Sequence, residues 1–156
     1  MIMEEVIVVL GEYRPMGEEV LVPYDGSDPA TDALTYALEQ FPEATVTVLH
    51  VVTLPESYWS AFGGREDRIP GYEEAVDRGE ELLEEASQTA DAASREVNTD
   101  LETGEPHRVI VDQAAEGGFD AVVIGSHGRT GVARVMLGSV AEKVVRRAPV
   151  PVVVVR

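Results

Sequence analysis

Short apolar runs rich in β-branched residues alternate along this chain with segments whose apolar residues recur every three or four positions. That is the rhythm of a parallel sheet with crossover helices. Residues 20–24 form the first interior run, which ends in Asp25-Gly26-Ser27. Ser27 or Asp28 can cap the helix that follows, and the early Pro29 already has helical φ. The stripe Ala30, Ala33, Leu34, Ala37, Leu38 and Phe41 gives that helix one buried face ending near Pro42. Residues 45–52 read as a second buried strand, and 53–71, broken by Pro55, Gly63-Gly64 and Pro70, as a loop. The spacing predicts a long helix over 72–96 with Tyr72, Ala75, Val76, Leu82, Leu83, Ala86, Ala90 and Ala93 inward. Its run Glu80-Glu81 with Glu84-Glu85 is a solvated face.

Residues 97–103 alternate apolar with polar and predict a half-exposed edge strand. A helix opening at Pro106 turns Val109, Ile110 and Ala114 inward and is stopped by Gly117-Gly118. A fourth strand over 121–124, a helix over 139–148 and a final strand from Val150 to Val155 complete the pattern. Right-handed crossovers wind these units into a single-domain α/β fold. It is an open parallel five-stranded sheet of spatial order 3-2-1-4-5, counted from the 20–24 strand, with helices on both faces. Its switch point lies between the first and fourth strands, so Asp25 and Gly125 are expected to face each other across a crevice where ligands of this class bind. Residues 1–17 stand outside the rhythm. The strand-like run at 6–10 predicts an extra N-terminal strand on a sheet edge, in this subunit or a partner's, ahead of a domain spanning 18–156.

Composition narrows the function. A chain of 156 residues with 44% hydrophobic and 26% charged residues suits one globular domain. The 29 acids against 12 bases leave a net charge of −17, and Lys143 is the sole lysine. So negative a field repels nucleic acid and anionic membrane surfaces, since both are bound through basic residues. Acid excess with almost no lysine points to a salt-rich, halophilic setting, where screening at 1 M shortens the Debye length to about 3 Å. Cysteine is absent, which removes disulfides and thiol chemistry. The 6–10 run follows Glu4 and Glu5, is too short to span a bilayer and lacks a basic flank, so a cytoplasmic location is expected.

The chemistry gathers after the fourth strand, in Ile124-Gly125-Ser126-His127-Gly128, nine further residues, then Gly138-Ser139 at a helix start. Glycines let backbone amides approach a ligand, and a helix N-terminus offers unpaired donors with about half a positive charge. Such a frame binds phosphate: the amides of Gly128 and Gly138 bracket it and the Ser139 hydroxyl adds a donor. Neither a G-x-x-x-x-G-K-[ST] loop nor a G-x-G-x-x-G fingerprint is present. No acid occurs between Asp120 and Glu142, and Arg129 and Arg134 fall in that gap, either as phosphate contacts or as ordinary surface charge. Asp25 either closes a turn with Ser27 or serves a ribose or metal-linked role. Ser126 and His127 point to opposite sides of an extended strand end, with no third group to orient the imidazole, so His127 is assigned to the loop or the phosphate side and not to catalysis. Tyr58, Trp59 and Phe62 form a lid, a partner patch or packing beneath the long loop.

Val22-Pro23-Tyr24-Asp25-Gly26-Ser27, Leu49-His50-Val51, the pattern G-x2-G-x9-G-S and the Pro-Val-Val-Val-Val ending together resemble the universal stress protein (UspA) superfamily over residues 18–156. The resemblance implies a Rossmann-like fold of the adenine nucleotide alpha hydrolase type. The glycine pattern is that of the ATP-binding branch. Pro23, Asp25 and Val51 would then surround the adenosine, Ile124 and Gly125 would lie beside the ribose, and Gly128, Gly138, Ser139 and Val140 would lie at the phosphates; Arg129, next to Gly128, is counted with the cofactor-binding residues on its charge and place in the acid-free gap. The resemblance further implies a homodimer paired antiparallel through its C-terminal strand, an edge that residues 1–17 could cover instead. Tyr24 departs from the smaller residue usual before the aspartate, and either stacks on the base or fills the core.

The leading expectation is therefore a homodimeric, nucleotide-binding regulatory protein of the stress response. It would hold ATP with Mg or Mn, or AMP or cyclic AMP, and hydrolyse ATP slowly if at all, since no general base for an attacking water is evident. One alternative is a metal-dependent ATP hydrolase or adenylyl-transfer enzyme using Asp25. Another is a structural dimer or adaptor that binds no nucleotide.

Overall fold

The computed structural model describes residues 6–9, 19–54, 69–126 and 137–156. Within them lie β1 (Val6–Val9), β2 (Glu19–Pro23), α1 (Asp28–Gln40), β3 (Thr45–Thr53), α2 (Tyr72–Ala92), β4 (Asn98–Gly104), α3 (Pro106–Glu116), β5 (Ala121–Gly125), α4 (Ser139–Arg147) and β6 (Val152–Val155). The strands form one sheet in the order β1-β6-β5-β2-β3-β4. From β4 to β6 all neighbours are parallel, which is the expected 3-2-1-4-5 order. β1 adds antiparallel to the outer edge of β6. The edge for which the resemblance implies a twofold partner is thus filled by the chain's own N-terminal segment.

Because side chains alternate across a strand, each central strand feeds two cores. Val20, Val22, Val46, Val48, Val123 and Val153 pack with α1 and α2 on one face. Leu21, Leu49, Val122, Ile124, Val152 and Val154 pack with α3 and α4 on the other. Burying one such aliphatic side chain contributes roughly 1.5–3 kcal/mol, so strands apolar on both sides are fixed in the middle of the sheet. β4 has no buried residue and lies at the edge, as its alternation predicts.

The helix stripes follow the sequence with local corrections. α1 buries Ala30, Ala33, Leu34, Ala37 and Leu38, and its cap is Ser27, whose side chain accepts from the Ala30 amide. α2 stops at Ala92, short of the expected 96, and Ala93 is exposed. The reason is a Schellman ending. Ser94 adopts φ 58°, its amide reaches the Asp91 carbonyl, and the Arg95 amide reaches that of Ala90. The turn frees the Arg95 guanidinium to bond the carbonyls of Leu38, Phe41 and Ala44 at the end of α1. The last strand begins at Val152 because Pro149 and Pro151 cannot donate to a ladder, and the first interior strand is shifted back by one residue.

Candidate functional site

Unequal pairing of β2 with its two neighbours opens the site. β2 pairs with β3 as far as Pro23 opposite Leu49, and the Tyr24 amide extends the ladder to the Leu49 carbonyl at 2.8 Å. With β5 it pairs only at Val20 opposite Ala121 and Leu21 opposite Val122. The carboxyl ends of β2 and β5 therefore separate, as expected where successive crossovers turn to opposite faces. A cavity of about 210 Å³ occupies the gap.

One wall is apolar: Leu49, Val51, Ile110, Ile124 and Val140 line it, with Pro106 at the start of α3. The other wall is polar and comes from the β2–α1 turn and the end of β3. Asp25 Oδ1 accepts from both the amide and the hydroxyl of Ser27, which fixes the carboxylate at the crevice mouth. His50 lines the cavity as well, and its Nδ1–H donates to the Tyr24 carbonyl at 2.8 Å. Two glycines let these parts approach. A Cβ on Gly125 would overlap the Pro29 carbonyl group and the Ala30 nitrogen, so only glycine lets α1 start against the end of β5. A Cβ on Gly79 of α2 would crowd Leu101 and the His50 ring.

The start of α4 forms the remaining side. Gly138 is its N-cap, with no side-chain hydrogen bond to the first turn, and Ser139 is exposed there. Val140, one residue on, lines the cavity. Behind this helix, His107 of α3 is buried, with Nδ1 3.5 Å from Glu105 Oε1 and Nε2 3.5 Å from Arg147 Nη1. Burial lowers its pKa, Glu105 opposes the shift, and Lys143, Arg147 and Arg108 reinforce it.

Of the residues singled out from sequence, Pro23, Asp25, Val51, Ile124, Gly125 and Val140 all line the one cavity, and Gly138 and Ser139 cap the adjacent helix. Gly128, Arg129, Arg134, His127, Tyr58, Trp59 and Phe62 lie outside the described residues. Tyr24 is buried in the α1–α2 core and also borders the cavity. Sequence reasoning gave no site role to Thr53 or to His50, Pro106 and Ile110, which it read only as part of a motif, a helix start and a core position. Position marks two of them, since Thr53 ends β3 and Pro106 opens the helix after β4, whereas His50 and Ile110 lie inside their elements. Among the described residues no group of three or more His, Cys, Asp or Glu side chains is placed to hold a metal. No helix among them is long and apolar enough to cross a membrane.

Residues 16–156 match the sequence model of the Universal stress protein family. The chain belongs to that family. It is 33% identical over 148 residues to the universal stress protein YxiE of Bacillus subtilis, covering 90% of this chain and all of that one. It is 31% identical over 141 residues to a universal stress protein of Methanocaldococcus jannaschii, covering 89% of this chain and 82% of the relative. Among solved structures it is similar to the universal stress protein of Archaeoglobus fulgidus in complex with dAMP, with TM-score 0.66, 27% identity, and coverage of 90% and 98% of the two chains. The crevice of this universal stress protein lies between β2 and β5, at the switch point that the sheet order leads one to expect.

Proposed function

We propose that this universal stress protein is a nucleotide-binding regulatory protein that holds ATP in the crevice between β2 and β5. The observation that carries the reading is the pairing of two unlike walls around one cavity: an apolar slot with a fixed carboxylate, and beside it a helix start whose cap has no side chain. Leu49 and Val51 suit the faces of a purine, Pro23 and Asp25 suit the adenosine, the carboxylate accepting from ribose hydroxyls, and Ile124 suits the ribose side. Gly125 lies beside the ribose. Gly138, Ser139 and Val140 offer amides and a hydroxyl to phosphate, with Gly128 and Arg129 completing that side. The dAMP complex of the A. fulgidus relative supports an adenine nucleotide as the ligand class.

A divalent ion, Mg or Mn, accompanies the triphosphate in this reading. Such ions are commonly held by phosphate oxygens and water with one or two carboxylates, and among the described lining residues Asp25 is the carboxylate that could serve the ion in place of the ribose. The chain's own groups support binding over turnover. Asp25 Oδ1 is taken up by the amide and hydroxyl of Ser27, and the Cδ2–Nε2 edge of His50 faces Gly79 of α2, so neither is poised on an attacking water. Hydrolysis is accordingly slow or absent. The net charge of −17 fits a protein that works in the cytoplasm of a salt-rich cell.

Calorimetric titration with ATP, AMP and cyclic AMP, with and without Mg, in molar salt tests this reading. Saturable one-site binding with ATP preferred is the expected result. Absence of any heat or displacement for all three nucleotides would favour the adaptor alternative. Phosphate release at ordinary enzymatic rates would favour the hydrolase.

A further inference from the structure

β6 is Val-Val-Val-Val, and bare amides and carbonyls along so apolar an edge would template pairing with another strand. In this chain the edge is filled from within. β1 runs antiparallel to it, with Val6 opposite Val155, Ile7 opposite Val154, Val8 opposite Val153 and Val9 opposite Val152. The sequence of β1, Val-Ile-Val-Val, repeats that of β6 with a single methylene added at Ile7. A second copy of β6 laid antiparallel on the first would bring the same side-chain types to the same pairing positions. We propose that β1 is a built-in substitute for that second strand: it closes the β6 edge within one chain, and the edge pairs with a second copy of β6 only when β1 detaches.

Chain length favours closure within one chain. Val9 is opposite Val152, the first residue of β6, so β1 ends at the same end of the sheet at which β2 begins with Glu19. Three strand spacings separate β1 from β2 in the sheet order, a span of about 14 Å. The connection of nine residues, 10–18, has a maximum length of about 30 Å, enough to cross that span. A strand tethered within reach of its site acts at an effective concentration on the order of millimolar, so at micromolar protein it outcompetes an equivalent strand from a second copy about a thousandfold. A pairing only four residues long is also short enough to open locally while the parallel sheet stays folded. This inference is independent of the nucleotide reading, because β6 pairing is measured as mass.

The test compares the full chain with one shortened to begin at Met16, by sedimentation equilibrium in molar salt. The full chain is expected to be a monomer at micromolar concentration. The shortened chain is expected to dimerise at a concentration at least about a hundredfold lower than the full chain, since both copies must otherwise uncap and each open fraction lowers the apparent affinity. A shortened chain that stays monomeric, or a full chain that dimerises equally well, overturns the proposal. Because a bare valine edge can aggregate, a second variant keeps every strand. The protein has no cysteine, so Val8→Cys with Val153→Cys places one thiol on each side of a registered pair. Oxidation at low concentration is expected to give a disulfide within one chain, and the oxidised form is expected to remain monomeric at concentrations where the reduced form dimerises. A disulfide linking two chains would show that β1 is exchanged between copies, and would overturn it.

Discussion

Two helices begin at the mouth of the crevice, and they treat their first amides in opposite ways. At the start of α1, Ser27 accepts from the Ala30 amide at 3.3 Å, Asp25 accepts from Ser27, and Asp28 adds a negative charge to the first turn. The positive end of that helix dipole is spent on the chain's own residues. At the start of α4 the cap is Gly138, which has no side chain to give, and the first acid, Glu142, is turned to Arg146 at 2.8 Å. Among the described residues no side chain caps these amides, and a helix start of that kind favours an anion. An aspartate on one wall and a glycine-capped helix start on the other also give the crevice a direction: in the proposed reading, hydroxyl donors would be held toward β2 and phosphates toward α4. The same fold element, a helix start near the crevice, thus closes a turn with its own side chains at α1 and leaves that role without a side chain at α4, according to one residue at the cap.

The largest expected effect falls where the two sides meet. Gly125→Val puts a side chain into the backbone of Pro29 and Ala30, which cannot move without unwinding the start of α1. Overpacking against backbone of this kind is expected to cost about 3 kcal/mol or more, read as a lowered denaturant midpoint. Next comes Gly138→Val combined with Ser139→Ala. Both positions are at most partly buried, so stability should change little, while the new side chain fills the cradle and a hydroxyl donor is lost. ATP affinity is expected to fall about tenfold to a hundredfold, equivalent to roughly 1.4–2.8 kcal/mol. Unchanged affinity would mean that the α4 start does not face the phosphates, and the contrast between the two helices would lose its functional meaning.

Much of this contrast was legible beforehand, for physical reasons. Runs such as Val20 to Val22 and Val122 to Ile124 are apolar on both alternating faces, which only an interior parallel strand can satisfy, so the sheet order followed from pattern and handedness. Asp25, Gly125, Gly138 and Ser139 stood out because cap and turn chemistry is local. His50 did not, since its bond to the Tyr24 carbonyl depends on the register of β2 against β3 and joins residues far apart in sequence. The early end of α2 escaped for the same reason. Arg95 leaves the helix to satisfy carbonyls at the end of α1, and nothing in the local periodicity of 72–96 marks that demand. The extra strand was legible as a strand, but β6 offered one edge to two occupants of nearly identical sequence, and only the antiparallel pairing of β1 with β6 distinguishes them.

A smaller effect sharpens the comparison from the α1 side. Ser27→Ala removes the acceptor for the Ala30 amide and leaves Asp25 without the hydroxyl that fixes it. Loss of a serine cap costs about 1 kcal/mol, measurable by denaturation. The same substitution leaves the α4 start intact, so affinity for AMP and for ATP should change by the same factor. A selective loss of ATP binding would place phosphate at α1 and reverse the assignment of the two helices.

The smallest effect is a slope with pH, and it concerns how α4 is held from behind. His107 lies between Glu105 on its Nδ1 side and Arg147 on its Nε2 side, and the neutral ring serves both, donating to the carboxylate and accepting from the guanidinium. A proton on Nε2 would remove that acceptor and set a cation against Arg147, with Lys143 on the same helix and Arg108 on α3 adding to the repulsion. Burial already lowers the folded pKa below the usual 6.5, so near and below that pH the unfolded chain binds the proton more readily than the folded one. Stability from this residue is fully present above about pH 6.5 and declines as the pH falls toward the lower, folded value. Denaturation of the parent and of His107→Gln at pH 7.5 and 5.5 isolates the contribution: the fall in midpoint on acidification should be smaller in the variant. Equal falls in the two proteins would assign the acid sensitivity to the carboxylates, and the hold of α3 on α4 would then owe nothing to the neutral imidazole.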